Sequence, residues 1–211
     1  MPELQKLWKL NMSWEEYESY ISETEKKGDL ILPESIDFVI RSSLTQHMIL
    51  LALALMMTFV YPVDMSFAAL GLCVWPIVEY YVHRFAFHEL PHKLKFGRQL
   101  QLIHYLVHGY HHKYPHDNTL LLWPAPVVTA IMFTLYRILN YFCVYESFSV
   151  VFGFFVGYWT YDFVHYMCHD TSEFWSFFRK RVIASQVTAH RKHHFVTHSA
   201  PYGVLHTWMD K

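Results

Sequence analysis

Two pairs of long apolar segments constrain this chain more than any other feature. Residues 44–62 (LTQHMILLALALMMTFVYP) and 65–83 (MSFAALGLCVWPIVEYYVH) are each 19 residues long, and a second pair follows at 120–139 and 143–163. A bilayer's hydrocarbon core takes about 20 apolar residues, with a range of about 17 to 25, so each segment is an adequate span. The links within each pair are a few residues long, which makes two helical hairpins. Core helices of a soluble protein would carry a polar stripe, and these barely do. Hydrophobic residues make up 53% of the chain and charged residues 17%, against roughly 25% charged in soluble proteins. The predicted fold is an all-α integral membrane protein with four transmembrane helices.

If each hairpin crosses and returns, residues 1–43, 84–119 and 164–211 share one side. Sixteen of the 17 Lys and Arg residues fall there, all but Arg137, and the positive-inside rule makes that side cytoplasmic. The expected organisation is a peripheral N-terminal segment, 1–43, and a membrane-embedded domain, 44–211. The expected location is the endoplasmic reticulum in a eukaryote or the inner membrane in a bacterium. No apolar h-region precedes the first acidic cluster, so a cleaved secretory signal is not expected. Ser13 followed by Glu16 reads as a capping box opening a short helix over 14–27, stopped by Gly28 and acting as a solvated lid. The three cysteines, Cys73, Cys143 and Cys168, form no CxxC pair and read as free thiols. A net charge of −1 leaves no field to hold nucleic acid.

Histidine is the outlier. Sixteen are present, almost all at or just past a predicted helix end on the cytoplasmic side. Four groups stand out: His83 and His88; His104, His108, His111 and His112; His165 and His169; and His190, His193 and His194. At about 100° per residue the second group falls within an arc of about 100°, so one helix face can present all four. His165 and His169 are about 40° apart, whereas His83 and His88 are about 140° apart, which requires the helix to loosen between them. Neutral imidazole suits iron, zinc, copper and nickel rather than magnesium or calcium. With His104 set aside, the groups hold ten histidines, five for each of two ions. Closed zinc sites take four ligands, typically with cysteine, whereas five nitrogens leave one position open on a six-coordinate ion. That pattern fits a pair of irons meeting dioxygen beneath a histidine-rich helical cap. His47, His92, His198 and His206 stand outside the groups and read as ordinary surface or core residues.

The runs HRFAFH, HYLVHGYHHKYPHD, YDFVHYMCH and AHRKHHF together resemble the fatty acid hydroxylase superfamily of histidine-rich membrane oxygenases. Within it the chain is similar to the fatty acyl (sphingolipid, ceramide) 2-hydroxylases, whose mark is a loop of the form HYxxHGxHHxxPxD; the likeness covers about residues 79–210. The resemblance implies metal ligands at His83, His88, His108, His111, His112, His165, His169, His190, His193 and His194, with His104 adjacent to them. It implies two iron ions, dioxygen as oxidant, and hydroxylation at carbon 2 of a lipid acyl chain, and leaves open whether a purified sample holds iron or adventitious zinc. The chain departs from the family pattern at His116, where methionine is usual, and at Asp170, where a second histidine is usual. His116, Asp117 and Asp170 all lie near ligands. Asp162, one turn before His165, and Glu79, four residues before His83, are placed to accept the second ring N–H of those histidines.

Many relatives carry a fused cytochrome b5 domain. The residues ahead of the first span are too few for a haem fold, and neither HPGG nor G-x-G-x-x-G occurs, so electrons are expected from a separate cytochrome b5-type protein. Residues 174–182 (FWSFFRKRV) join four aromatics to Arg179, Lys180 and Arg181, as a membrane-surface segment or a dock for that donor would. Competing readings are a related diiron desaturase or sterol or carotenoid hydroxylase, and a non-enzymatic zinc-handling membrane protein. The HGYHHKYPHD loop argues against the first. Ligands gathered at one face argue against transport.

Overall fold

The computed structural model describes residues 3–28, 34–142, 146–197 and 200–210, and every regular element among them is helical. Two short helices open the chain, α1 (Glu3–Leu10) and α2 (Trp14–Ser22). The capping box forms as predicted: Ser13 Oγ accepts the Glu16 N–H at 3.2 Å, and the Glu16 carboxylate accepts the Ser13 N–H at 2.8 Å. The helix stops at Ser22 rather than Lys27, and Gly28 is not left-handed. Its N–H donates to Asp117 and its carbonyl accepts from Arg41, so the chain after α2 is drawn inward. Nor is α2 only a solvated lid. Glu15 and Glu16 face water, but Trp14 and Tyr17 are buried against Tyr105, Tyr110 and Tyr114.

The four apolar segments expected to span appear as helices, α3 (Leu44–Met57), α4 (Met65–Tyr81), α8 (Ala125–Tyr141) and α9 (Ser147–His169). Each differs from its expected limits for a local reason. Thr58 winds tightly onto Leu55 and ends α3 five residues before Pro62. Pro124 caps α8, which leaves 120–124 as a non-helical strap. The start of the fourth span, including Cys143, lies outside the described residues. At roughly 1.5 Å per residue α3 rises only about 21 Å. Among the described residues one helical stretch, Met65–Leu94, is long and apolar enough to cross a membrane. The others are too short or, in α9, diluted by Ser, Tyr, Asp and His.

Burial runs opposite to that of a soluble bundle. The single buried residue of α3 is His47, while Leu53, Met56 and Met57 on the same helix are exposed. In α4 the buried positions are Ala68, Gly71, Glu79 and Tyr80, and in α9 they include Ser147, Ser149, Gly153, Gly157 and Asp162. On α3 and α4 the buried positions are mostly polar or small and the exposed ones apolar, whereas α9 also buries Val151, Phe155, Val164 and Met167.

α4 and α9 make the closest helix pairing, and they run parallel: Ala68 faces Gly153, Gly71 faces Val150 and Phe154, and Trp75 faces Gly157. A Cβ on Gly153 would sit 1.8 Å from the Ala68 carbonyl oxygen, and one on Gly71 would sit 2.0 Å from that of Val150, so the two backbones meet where only glycine fits. Parallel helices bring their C-terminal ends to the same end of the bundle. There they meet the remaining helices, α5 (Leu90–Leu94), α6 (Arg98–His104), α7 (Tyr110–Lys113), α10 (Ser176–Arg181) and α11 (Ala184–Phe195).

Candidate metal centre

Two π-helical turns set the histidine spacing. The first, Val82–Glu89, continues α4, with the Leu90 N–H reaching back five residues to the Phe85 carbonyl. One π turn stacks residues i and i+5, so His83 Nε2 and His88 Nε2 come within 3.3 Å. This is the loosening that an α-helical period required. The second turn, Tyr105–Gly109, joins α6 to α7 and separates His104 from the histidines that follow.

The described histidines form two groups of five: His83, His88, His108, His112 and His193; and His111, His165, His169, His190 and His194. Within each group one ring nitrogen per residue lies within 4.8 Å of all the others. The four histidines of the central run therefore do not share one site. His111 and His112 are chain neighbours about 100° apart on a helix and turn to opposite groups, as His193 and His194 do on α11. These two pairs stand between the groups and hold them side by side.

The arrangement fits metal ions. Nitrogen pairs are 3.0 Å apart for His88 and His108, 3.0 Å for His111 and His165, 2.9 Å for His111 and His194, and 2.8 Å for His169 and His190. Neighbouring ligands at right angles, each about 2.1 Å from one ion, stand about 3 Å apart. His111 Nε2 faces two such nitrogens at once, and a ring nitrogen carrying either a proton or a lone pair cannot both donate and accept; a shared cation resolves this. Burial, reinforced by neighbouring imidazoles, holds His108, His111, His112, His190 and His194 well below the ordinary histidine pKa, so their lone pairs are free of protons.

Backbone carbonyls orient the rings. His83 Nδ1–H donates to the Tyr202 carbonyl at 2.6 Å, and His165 Nδ1–H donates to that of Leu121 at 3.0 Å, which leaves each Nε2 as a lone pair. The carboxylates expected in those roles are engaged elsewhere. Glu79 accepts the Val204 N–H, and Asp162 accepts from the Tyr158 hydroxyl at 2.6 Å and the Trp123 N–H at 3.2 Å, with His47 Nε2 2.9 Å away. A carbonyl reached the ring nitrogen first in each case. Asp162 acts one step further out, because the strap it holds at Trp123 carries the Leu121 carbonyl.

The other expected neighbours sort similarly. His104 donates from Nε2 to the Phe87 carbonyl at 2.7 Å and accepts at Nδ1 from the Tyr17 hydroxyl at 2.6 Å, so both nitrogens are used outside the groups. His116 is exposed and stacks on Phe195. Asp117 binds Arg41, Thr119 and the Gly28 N–H, and Asp170 binds Arg179 and Ser172. Cys168 packs with Met167, Ile183 and Val204. His198 lies outside the described residues. Tyr17, Arg41 and the two carbonyls escaped the sequence reading, since a carbonyl has no residue signature and a long-range partner has no spacing.

One apolar cavity touches both groups. Leu106, Leu120, Leu122, Trp123, Val127 and Tyr161 wall it, and it reaches His83 and His108 of one group and His111, His165 and His190 of the other. A second cavity between α4, α8 and α9, walled by Trp75, Val128, Met132 and Phe154, shares His83, Phe87, Trp123 and Tyr161 with the first.

Residues 68–211 match the family model described as fatty acid hydroxylase. The chain belongs to the fatty acid hydroxylase family. Among curated relatives, fatty acid 2-hydroxylase of Rattus norvegicus is 31% identical over 136 residues, 64% of this chain and 35% of the relative. A dihydroceramide fatty acyl 2-hydroxylase of Arabidopsis thaliana is 30% identical over 150 residues, 71% and 60% of the two chains. This hydroxylase-family chain thus spans about a third of the length of the mammalian relatives it matches. Among solved structures, full-length scs7p, of which only the hydroxylase domain is visible, superposes with a TM-score of 0.73 at 20% identity, covering 100% of this chain and 81% of that one, and so shares its fold.

Proposed function

We propose that this protein is a membrane-bound hydroxylase that places a hydroxyl group on carbon 2 of a fatty acyl chain, free or within a ceramide, by means of two iron ions, dioxygen and electrons from a separate cytochrome b5-type protein. The observation that carries the reading is an apolar cavity in contact with both five-histidine groups. His83, His88, His108, His112 and His193 would hold one ion, and His111, His165, His169, His190 and His194 the other. Bound iron supplies the oxidising power that an unactivated acyl C–H bond needs and no side chain has.

The chain's own residues do the rest. The Tyr202 and Leu121 carbonyls fix two rings with their lone pairs inward, and the Asp162 carboxylate holds the strap that bears one of them. Leu106, Leu120, Leu122 and Trp123 take the acyl chain and exclude water from it. The outward apolar faces of α3, α4 and α8 support seating in a bilayer, with the histidine end on the side that carries 16 of 17 Lys and Arg, the cytoplasmic side. The named activities of the relatives support carbon 2 as the target. Lipid analysis of cells expressing the wild type or His111→Ala tests the proposal. It expects 2-hydroxy acyl chains with the wild type only; their absence with a metal-loaded wild type would overturn it.

A further inference from the structure

We infer that a third cavity, beneath α2 and lined by hydroxyl, carboxylate and imidazole groups together with a few apolar side chains, is the aqueous route by which protons reach the first histidine group and product water leaves it. The inference rests on the hydroxylase reading. Hydroxylation balances as R–H + O2 + 2H⁺ + 2e⁻ → R–OH + H2O: one oxygen atom enters the C–H bond, and the other leaves as water with two protons from solvent and two electrons from a one-electron donor protein. An acyl chain filling the apolar cavity bars water from that side, so the protons need another way in.

The cavity beneath α2 supplies one. Glu18, Ser19 and Ser22 of α2, with Trp14 and Ile21 among them, form its outer wall, and His88, His104 and His112 form its floor. Its volume of about 270 Å³ holds several waters at roughly 30 Å³ each. Among the described residues, no member of the second group lines it. Phe87 and His108 belong to this lining and to that of the apolar cavity, and their stacked rings, 4.8 Å apart at 21°, form the partition between the two. The wall is fixed in place. The Tyr17 hydroxyl bonds His104, and a Cβ on Gly109 would lie 2.5 Å from that hydroxyl, so glycine leaves room for the Tyr17 side chain to reach His104. At the mouth Glu18, partly exposed, meets His92 Nδ1 at 2.9 Å.

Azide, a small water-soluble ligand with a visible charge-transfer band on ferric iron, tests the route in the full iron-loaded chain in lipid nanodiscs. The wild type is expected to bind one azide per chain in a fast phase, at the first group. Ser19→Trp should slow that phase about tenfold or more by filling the cavity, with iron content unchanged, whereas Ser19→Ala should not. Leu122→Trp, in the apolar cavity, should leave the azide rate as it is. Two equally fast azide phases in the wild type, an unslowed Ser19→Trp, or a slowed Leu122→Trp would each overturn the route. Lipid product is read separately, so a chain that admits azide as expected but forms no 2-hydroxy lipid overturns the hydroxylase reading and not the access path.

Discussion

His104 and His108 sit four residues apart in one histidine-rich run, yet only His108 keeps a nitrogen for an ion. His104 has both nitrogens bonded, to Phe87 and Tyr17, so His104→Gln should retain about two ions per chain by elemental analysis while losing roughly 1–3 kcal/mol of stability from the stranded Tyr17 hydroxyl. His193→Ala should lower the count to about one ion, because five nitrogens become four in one group only. Equal losses in both variants would mean that these histidines serve folding alone. Asp117 poses a different question. Burial raises its pKa, but hydrogen bonds from Thr119 and Arg41 more than offset this and hold the carboxyl below its ordinary value. A depressed folded pKa stabilises the protein above the unfolded value of about 4 and ceases to do so as pH falls through the folded one. Asp117→Asn should therefore lower the Tm at pH 7, and the gap from wild type should close on acidification below about pH 4.

At the scale of elements, the site depends on two π turns, one strap and one glycine-lined crossing. Gly153→Leu would drive a side chain into the Ala68 backbone and should cost about 1–3 kcal/mol or more, read as a loss of Tm. A Cβ at Gly97 meets nothing within 4 Å, so Gly97→Ala set against Gly153→Ala is the matched comparison. Asp162→Leu removes the acceptor of the Trp123 N–H and the Tyr158 hydroxyl and should free the strap. The expected result is selective weakening of the ion at the second group, by about 10- to 100-fold in affinity, as outer partners of metal ligands typically contribute. Unchanged affinity in a folded Asp162→Leu protein would show that the Leu121 carbonyl holds His165 without that support.

For the whole molecule, the proposed seating in a bilayer rests on the outward apolar faces of α3, α4 and α8, and Phe174, just before α10, and Phe177 on it are exposed as well. The basic run on α10 is not uniformly available to a partner. Arg179 is bound to Asp170, while Lys180 and Arg181 face solvent. Reversing Lys180 and Arg181 to glutamate should slow donor-dependent turnover more at low salt than at high salt, with metal content unchanged, since charge steering is screened over about 10 Å at 0.1 M salt. Absence of any salt effect would remove α10 from the docking surface.

The histidines' number and spacing were enough to single out the ten residues that the fold gathers into two groups of five, because such gathering needs particular residue types at helical intervals and both are written in the chain. The four apolar segments likewise announced helices. Which histidine joins which group was decided in three dimensions: a π turn adds a residue to the helical period at His83 and His88, and an adjacent pair such as His111 and His112 can serve either side until the neighbouring helices are placed. The same holds for Glu79 and Asp162. Sequence spacing put each carboxylate within reach of a histidine, but the Tyr202 and Leu121 carbonyls, 119 and 44 residues away along the chain from the rings they hold, took those N–H groups first. Local spacing governs what a helix can present; the partner each group accepts is a competition settled by packing.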